Sequence, residues 1–93
     1  MDWDSKVRNN THANRFEIEH EGHQAVAEYS LGRGVITFTH TFVPPHMRGE
    51  GIADALARVA LATARKEGLR VIPSCSFFAR YMERHAENSD LLA

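Results

Sequence analysis

The sequence has only one cysteine and no long apolar run, and each shortage excludes a class of protein. Because Cys75 has no second cysteine to pair with, a domain held together by internal disulfides is excluded and a reducing, cytoplasmic location is expected. No apolar stretch reaches the roughly 20 residues of a membrane-spanning helix. The first ten residues are polar and lack the apolar segment of a secretory signal, so neither secretion nor a membrane partner is predicted.

The chain also lacks an excess of charge and a regular grouping of metal ligands. Its net charge is −1 and its pI is about 6.6, so no basic field indicates a nucleic-acid partner. None of its histidines lies four residues from another, which is the spacing that places two imidazoles on one helix face. With a single cysteine besides, no metal site is predicted. The six histidines are His12, His20, His23, His40, His46 and His85.

A chain of 93 residues, of which 43% are apolar, is enough for one small domain with a modest core. Residues 1–13 are polar and are predicted to be a flexible N-terminus. Residues 14–93 are predicted to form the domain. We expect a monomer or a weak dimer.

Three β-strands are predicted in the first half of the domain. Residues 15–20 (RFEIEH) and 23–31 (HQAVAEYSL) alternate in polarity, and residues 35–43 (VITFTHTFV) are rich in β-branched and aromatic types. The short turns between them predict an antiparallel meander. Strict alternation would place Ile36, Phe38, His40 and Phe42 on one face of the third strand. Because its other face is also fairly apolar, this strand is predicted to be central and covered on both sides.

Two helices and a fourth strand are predicted in the second half. Apolar residues recur at three and four positions over residues 51–67, residues 69–72 read as a short strand, and residues 76–85 read as a second helix. Asp54 and Arg58 can pair one turn apart on the first helix. The strand–helix–strand step requires the two flanking strands to run parallel. The order β-β-β-α-β-α therefore predicts an α/β (α+β) fold with a mixed, mostly antiparallel sheet.

The segment PPHMRGEGIA joins the third strand to the first helix and has the residues of an anion site. A helix start leaves its first N–H groups unpaired and carries partial positive charge. Gly49 and Gly51 let the backbone approach a ligand, and Arg48 adds a forked cation, so the turn suits a diphosphate. A P-loop is excluded because no Lys-Ser or Lys-Thr follows Gly51, and a dinucleotide fingerprint is excluded because Asp54 stands at its third glycine. The alternative is a plain helix start without a ligand.

These residues resemble a known family. R-x-x-G-x-A, formed by Arg48, Gly51 and Ala53, is similar to the signature with which the GNAT superfamily of N-acetyltransferases binds the pyrophosphate of acetyl-coenzyme A. HTFVPPHMRGEGIA followed by VIPSCSFFARYMERH looks like the small, minimal GNAT-like family that keeps a cysteine after its last core strand. The resemblance covers residues 15–92 and implies the minimal GNAT fold, with two parallel strands that splay apart around the thioester.

The resemblance implies that acetyl-coenzyme A is the cosubstrate. Its pantetheine arm would bond to the backbone of the strand end, and its pyrophosphate would bind the turn. The candidate coenzyme-binding residues are Phe42, Val43, Met47, Arg48, Gly49, Glu50, Gly51, Ile52, Ala53, Ser74, Phe78 and Arg80. The alternative for Arg80 is a solvated helix residue, and for Phe78 a core residue.

Cys75 and His40 are the candidate catalytic residues. Near a thioester, Cys75 could accept the acetyl group by thioester exchange or protonate the departing coenzyme sulfur, and its alternative is a small buried apolar residue. His40 could deprotonate an incoming ammonium, or simply be bonded in the sheet. Many larger relatives carry an asparagine near the position of Cys75 and, about seven residues later, a tyrosine that protonates the departing thiolate. Tyr81 falls one residue short of that spacing.

The predicted function is therefore transfer of an acetyl group from acetyl-coenzyme A to a primary amine of unknown identity. One alternative is a non-catalytic module that binds coenzyme A or acyl-coenzyme A. The other is an interaction domain with a vestigial coenzyme loop. The minimal chain lacks the two helices with which larger relatives shape the acceptor pocket, so an open acceptor side is expected.

Overall fold

A five-stranded sheet with strand order β1-β2-β3-β4-β5 forms one layer of the fold. The computed structural model describes residues 1–93. Two α-helices pack against the sheet, and three short 3₁₀ turns lie at Asp4–Lys6, Pro45–Met47 and Ala86–Leu91. The strands and helices, in chain order, are β1 (Arg8–Asn10), β2 (Arg15–His20), β3 (His23–Gly32), β4 (Val35–Phe42), α1 (Ile52–Lys66), β5 (Arg70–Pro73) and α2 (Ser76–Arg84).

The pairing of the strands confirms the predicted fold class. Strands β1 to β4 form an antiparallel meander, and β5 pairs parallel to β4 after the crossover through α1. The parallel pairing is short: it runs from Val35 opposite Arg70 to Phe38 opposite Pro73. Beyond that point β4 continues for four residues without a partner on this edge. Neither helix is long and apolar enough to span a bilayer.

The N-terminal residues contain structure that the sequence did not predict. Within residues 1–13, predicted to be a flexible extension, β1 pairs with β2 and Trp3 is buried. The Asp4 carboxylate makes two hydrogen bonds with the Arg58 guanidinium on α1, at 2.8 and 2.6 Å. Arg58 thus pairs with Asp4 and not, as predicted, with Asp54. Strand β1 escaped prediction because its three residues are all polar and show no alternation.

The helices cover one face of the sheet, and the other face is open. Phe16, Ile18 and Phe38 point toward the helices and are fully buried against Leu56 and Phe78. On the opposite face Phe42 keeps 43% of its surface exposed. The prediction that β4 is covered on both sides is therefore wrong. This small chain supplies only two α-helices: α1 connects β4 to β5, α2 follows β5, and both pack on the same face of the sheet.

A β-bulge at Thr39 changes, midway along β4, which face of the sheet each later side chain points to. Phe38 lies opposite Tyr29 and His40 lies opposite Glu28, so one extra residue stands between them on β4. The Thr39 hydroxyl donates to the Glu28 carbonyl at 3.3 Å. Since one extra residue moves each later side chain to the other face, His40 lies on the open face. The strict alternation predicted for Phe38, His40 and Phe42 is therefore wrong.

Candidate functional site

A cleft of about 430 Å³ lies where β4 ends and α1 begins. Its walls come from three parts of the chain: the last residues of β4, the turn with the first residues of α1, and one side chain of α2. The lining residues are Thr41, Phe42, Val43, Met47, Arg48, Gly49, Gly51, Ile52, Ala53, Asp54 and Phe77. Six of these eleven are hydrophobic, so the cleft suits a ligand with both an apolar and a charged part.

The start of α1 supplies the polar wall of the cleft. Gly51 precedes the helix with φ 82° and ψ 15°, a left-handed conformation, and no side chain caps the helix. Gly49 also has a positive φ of 82°. A Cβ built on either glycine would meet no atom within 4 Å, so backbone conformation and not crowding explains their presence. The unpaired N–H groups of the first helical turn therefore face space that an anion can fill.

Two charged side chains border this wall and act in opposite ways. The Nε of Arg48 donates a hydrogen bond to the Val43 carbonyl at 2.9 Å, which ties the turn back to the end of β4. Its two terminal nitrogens make no hydrogen bond within the chain and are free for a ligand. Asp54, in the first turn of α1, also lines the cleft and adds negative charge. The cationic side of the site is therefore the turn, and the acidic side is further along the helix.

Cys75 lies at the point where β4 and β5 separate. Its N–H donates to the Phe38 carbonyl at 3.0 Å, which is the last backbone hydrogen bond between the two diverging segments. Its Sγ caps α2 by accepting the Phe78 N–H at 3.4 Å, so the positive end of this helix faces the sulfur. The same Sγ lies 3.4 Å from the Thr41 hydroxyl. Because Thr41 lines the cleft, the half-buried sulfur sits one side chain behind the cleft wall.

The structure brings together most of the predicted coenzyme-binding residues and separates a few. Phe78 lies in the core, with its ring stacked on Phe38 at 4.1 Å, and the neighbouring Phe77 lines the cleft in its place. Glu50, Ser74 and Arg80 are exposed and do not line the cleft. The predicted residues that do line it are Phe42, Val43, Met47, Arg48, Gly49, Gly51, Ile52 and Ala53.

The sequence missed three residues of the cleft. Thr41 escaped because the unforeseen bulge turns it toward the helices. Phe77 escaped because only the packing of α2 decides which of two adjacent phenylalanines enters the core. Asp54 was predicted only to pair with Arg58 and to exclude a dinucleotide fingerprint. No group of three or more His, Cys, Asp or Glu side chains is placed to hold a metal ion.

Tyr81 and the candidate base His40 lie apart from the cleft. Tyr81 is only 3% exposed and stacks on His85 at 4.1 Å, on a part of α2 that does not line the cleft. Its burial raises the pKa of the hydroxyl, and the nearby charge of Arg58 partly offsets this. His40 is exposed on the open face, opposite Glu28 on β3. It is next in the chain to Thr41, so the two side chains project from opposite faces of one strand.

Comparisons with known proteins agree with this geometry. A family model described as GCN5-related N-acetyl-transferase matches residues 15–91. Mouse Protein NATD1 is 29% identical over 83 residues, which cover 86% of this chain and 76% of that protein. Human Protein NATD1 is 33% identical over 55 residues, 59% of this chain and 49% of that protein, so this match spans about half of the relative.

A solved structure matches the whole chain. The NMR solution structure of a GCN5-like candidate N-acetyltransferase from Staphylococcus aureus superposes with a TM-score of 0.76 at 25% sequence identity, covering 100% of this chain and 91% of that one. The family model begins at the first residue of β2 and ends beyond α2, so it includes every residue that lines the cleft. The chain therefore belongs to the GCN5-related N-acetyl-transferase family.

Proposed function

We propose that the protein binds acetyl-coenzyme A in this cleft and transfers the acetyl group to a primary amine. The observation that carries the proposal is the meeting of an uncapped helix start, an unpaired strand end and a thiol around one cleft. The helix start offers N–H donors for a diphosphate. The strand end offers backbone groups for an amide-containing arm, and the thiol marks where a thioester would lie.

The residues of the cleft fit coenzyme A in their chemistry. The N–H groups of residues 51–53 and the free terminal nitrogens of Arg48 would hold the pyrophosphate. The edge of β4 beyond Phe38 has lost its β5 partner and would bond the pantetheine amides. Because Arg48 already occupies the Val43 carbonyl, the Val43 backbone is partly committed before any ligand arrives. Phe77 and Met47 would pack against the apolar part of the arm.

Cys75 would then take part in the chemistry. In one route its sulfur attacks the acetyl carbonyl, the bond from that carbonyl to the coenzyme sulfur breaks, and the cysteine proton goes to the departing coenzyme thiol. An amine then attacks the acetyl-cysteine, and the Cys75 thiol is restored. In the other route Cys75 only donates its proton to the departing sulfur. In both routes the Thr41 hydroxyl and the Phe78 N–H, each 3.4 Å from Sγ, orient the sulfur.

The amine would approach from the open face of the sheet. His40 is exposed there, beside Glu28, and can accept a proton from an ammonium group as the amine enters. No helix covers this part of β4, so the face can admit acceptors of very different size.

A second candidate function, coenzyme A binding without turnover, is favoured by one observation. The Tyr81 ring is buried away from the cleft, so no phenol stands near the expected thioester. A protein that only binds acyl-coenzyme A needs no such acid.

Isothermal titration with acetyl-coenzyme A and with coenzyme A tests the binding that both candidates share. We expect saturable heat from each ligand. An absence of heat at roughly millimolar ligand, the weak limit for a specific small-molecule site, would refute both.

Mass spectrometry separates the two candidates. After incubation with acetyl-coenzyme A, we expect the wild type to gain the mass of one acetyl group on Cys75 and to lose it when a primary amine is added. Cys75→Ser keeps a side chain that can cap α2, so it should fold normally while the adduct disappears. Amine acetylation by Cys75→Ser at the wild-type rate would rule out both roles of Cys75. Binding of acetyl-coenzyme A without acetyl transfer to any amine would favour the second candidate function, coenzyme A binding without turnover.

A further inference from the structure

A second cleft, of about 400 Å³, lies between α1 and the end of α2. Its walls are the middle and last turns of α1, the last turn of α2 and the 3₁₀ turn that follows. It shares no lining residue with the first cleft. The family's coenzyme chemistry does not explain it, so its own side chains must indicate what it binds.

The Tyr81 hydroxyl has no acceptor for its proton within the chain. Tyr81 is 97% buried, since only 3% of its surface is exposed. The hydroxyl lies near the Arg58 guanidinium, which can only donate to it, and the cleft that Tyr81 lines is open to an acceptor from outside. The other tyrosine hydroxyl, of Tyr29, bonds to Asn9 Oδ1 at 2.7 Å. Buried phenols normally have such a partner, so Tyr81 has a vacant donor.

The other donors around the hydroxyl are cationic. Arg58 uses Nε and one terminal nitrogen on Asp4, which leaves its other terminal nitrogen free. Lys66 makes no ion pair. Arg65 is held by Asp90 at 2.8 Å, and Glu87 is the one carboxylate among the lining residues. With the two ion pairs counted as neutral, the charges of Lys66 and Glu87 offset each other, and the Glu87 carboxylate lies 3.6 Å from His85 Nδ1. A free guanidinium N–H, a free ammonium and a neutral hydroxyl line the same space.

The cleft also has an apolar wall. Leu61 and Ala62 of α1 line it, and the His85 ring, stacked on Tyr81 at 4.1 Å, forms a planar side. Burial raises the pKa of Tyr81, so its hydroxyl stays protonated at neutral pH and can donate. An anionic group with a small apolar or planar body matches both walls.

We propose that this cleft is a second ligand site, which binds a small molecule carrying a phosphate or carboxylate group. The Tyr81 hydroxyl and the free nitrogen of Arg58 donate to the anion, and Lys66 supplies the countercharge. The anion could be a free metabolite or a phosphate of a coenzyme A molecule seated in the first cleft. The site is assigned to the free molecule, because the two clefts share no residue.

A titration with inorganic phosphate, followed by amide NMR shifts of the apo protein, tests the proposal. We expect saturable shifts of the amides of Lys66, His85 and Asn88. Tyr81→Phe removes the vacant donor alone. It should raise the dissociation constant for phosphate, read from these shifts, by roughly tenfold or more, as expected for the loss of a hydrogen bond to a charged group. Tyr29→Phe is the matched control, since it removes a hydroxyl that faces elsewhere, and it should leave phosphate affinity unchanged.

The role of Lys66 as countercharge to the bound anion is tested by Lys66→Gln, with Lys6→Gln as its control. Both lysines are exposed, so neither variant endangers the fold. Only Lys66→Gln should weaken phosphate binding and reduce its dependence on salt. Phosphate binding that is equal in Tyr81→Phe and wild type, or the absence of saturable shifts in this cleft, overturns the proposal. Loss of these shifts when the protein is saturated with coenzyme A, but not with its form lacking the 3′-phosphate, would also overturn it, because the site would then belong to the coenzyme.

Discussion

Gly51→Ala tests whether the start of α1 is the diphosphate site. Gly51 has φ 82°, and a Cβ there would meet no atom within 4 Å. The stability cost of alanine is therefore conformational alone. A left-handed non-glycine residue costs about 1 kcal/mol or somewhat more, which lowers the Tm of a domain of this size by about 4–8 °C.

The same methyl group should weaken coenzyme A binding much more than it weakens the fold. Gly51 lines the cleft beside the unpaired N–H groups, so a Cβ would stand where a phosphate oxygen must come close. Loss of one charge-assisted hydrogen bond is worth about 1.5–3 kcal/mol, and we expect at least about a tenfold loss of affinity for coenzyme A.

Gly34→Ala is the matched control. Gly34 has φ 78°, and a Cβ there would also meet nothing within 4 Å, but it lies in the turn between β3 and β4 and not in the cleft. Circular-dichroism melting should show similar losses of Tm in both variants, and titration calorimetry should show weaker coenzyme A binding only in Gly51→Ala. Equal coenzyme A affinity in the two variants would refute the assignment of the diphosphate to the start of α1. An unchanged Tm in Gly51→Ala would refute the left-handed turn.

Two further predictions concern the core and the open face. Phe78→Ala removes a fully buried, stacked ring and should cost about 3–5 kcal/mol in urea unfolding; Phe77→Ala should cost less but weaken coenzyme A binding, and the reverse ranking would contradict the placement of the two rings. Glu17 accepts a hydrogen bond from Arg15, and this bond holds its pKa below the ordinary 4.5, so its stabilising effect is present above that pH and is lost as the pH falls through the lower folded value. Glu17→Gln should therefore be less stable than wild type at neutral pH and nearly equal to it in acid, whereas the exposed Glu19→Gln should differ little at either pH; a Glu17→Gln deficit that does not change with pH would contradict this.

The order of elements could be predicted because its signals are local. Strand β2 occupies the predicted residues 15–20, and β3, β4, α1, β5 and α2 each lie within about two residues of the predicted bounds. The turn from Arg48 to Gly51 could also be predicted, because two glycines directly before an amphipathic pattern are visible in the sequence. The parallel pairing of β4 and β5 followed from the length of the crossover between them.

The facing of single side chains could not be predicted in the same way. His40 and Thr41 exchange faces because one extra residue on β4 has no partner on β3, and a bulge is a property of two paired strands. Phe77 and Phe78 are adjacent and chemically identical, so only the docking of α2 onto Phe38 separates the cleft residue from the core residue.

The sequence by itself determined most of the elements, their order and the glycine turn before α1, because periodicity, propensity and glycine placement act over a few neighbouring residues. Only the tertiary structure decided which side chains meet. It paired the polar strand β1 with β2, joined Asp4 to Arg58 across 54 positions of the chain, set Thr41 beside Cys75, and left the Tyr81 hydroxyl facing a second cleft. Those contacts depend on strand register and helix docking, which the chain settles only when all its elements pack together.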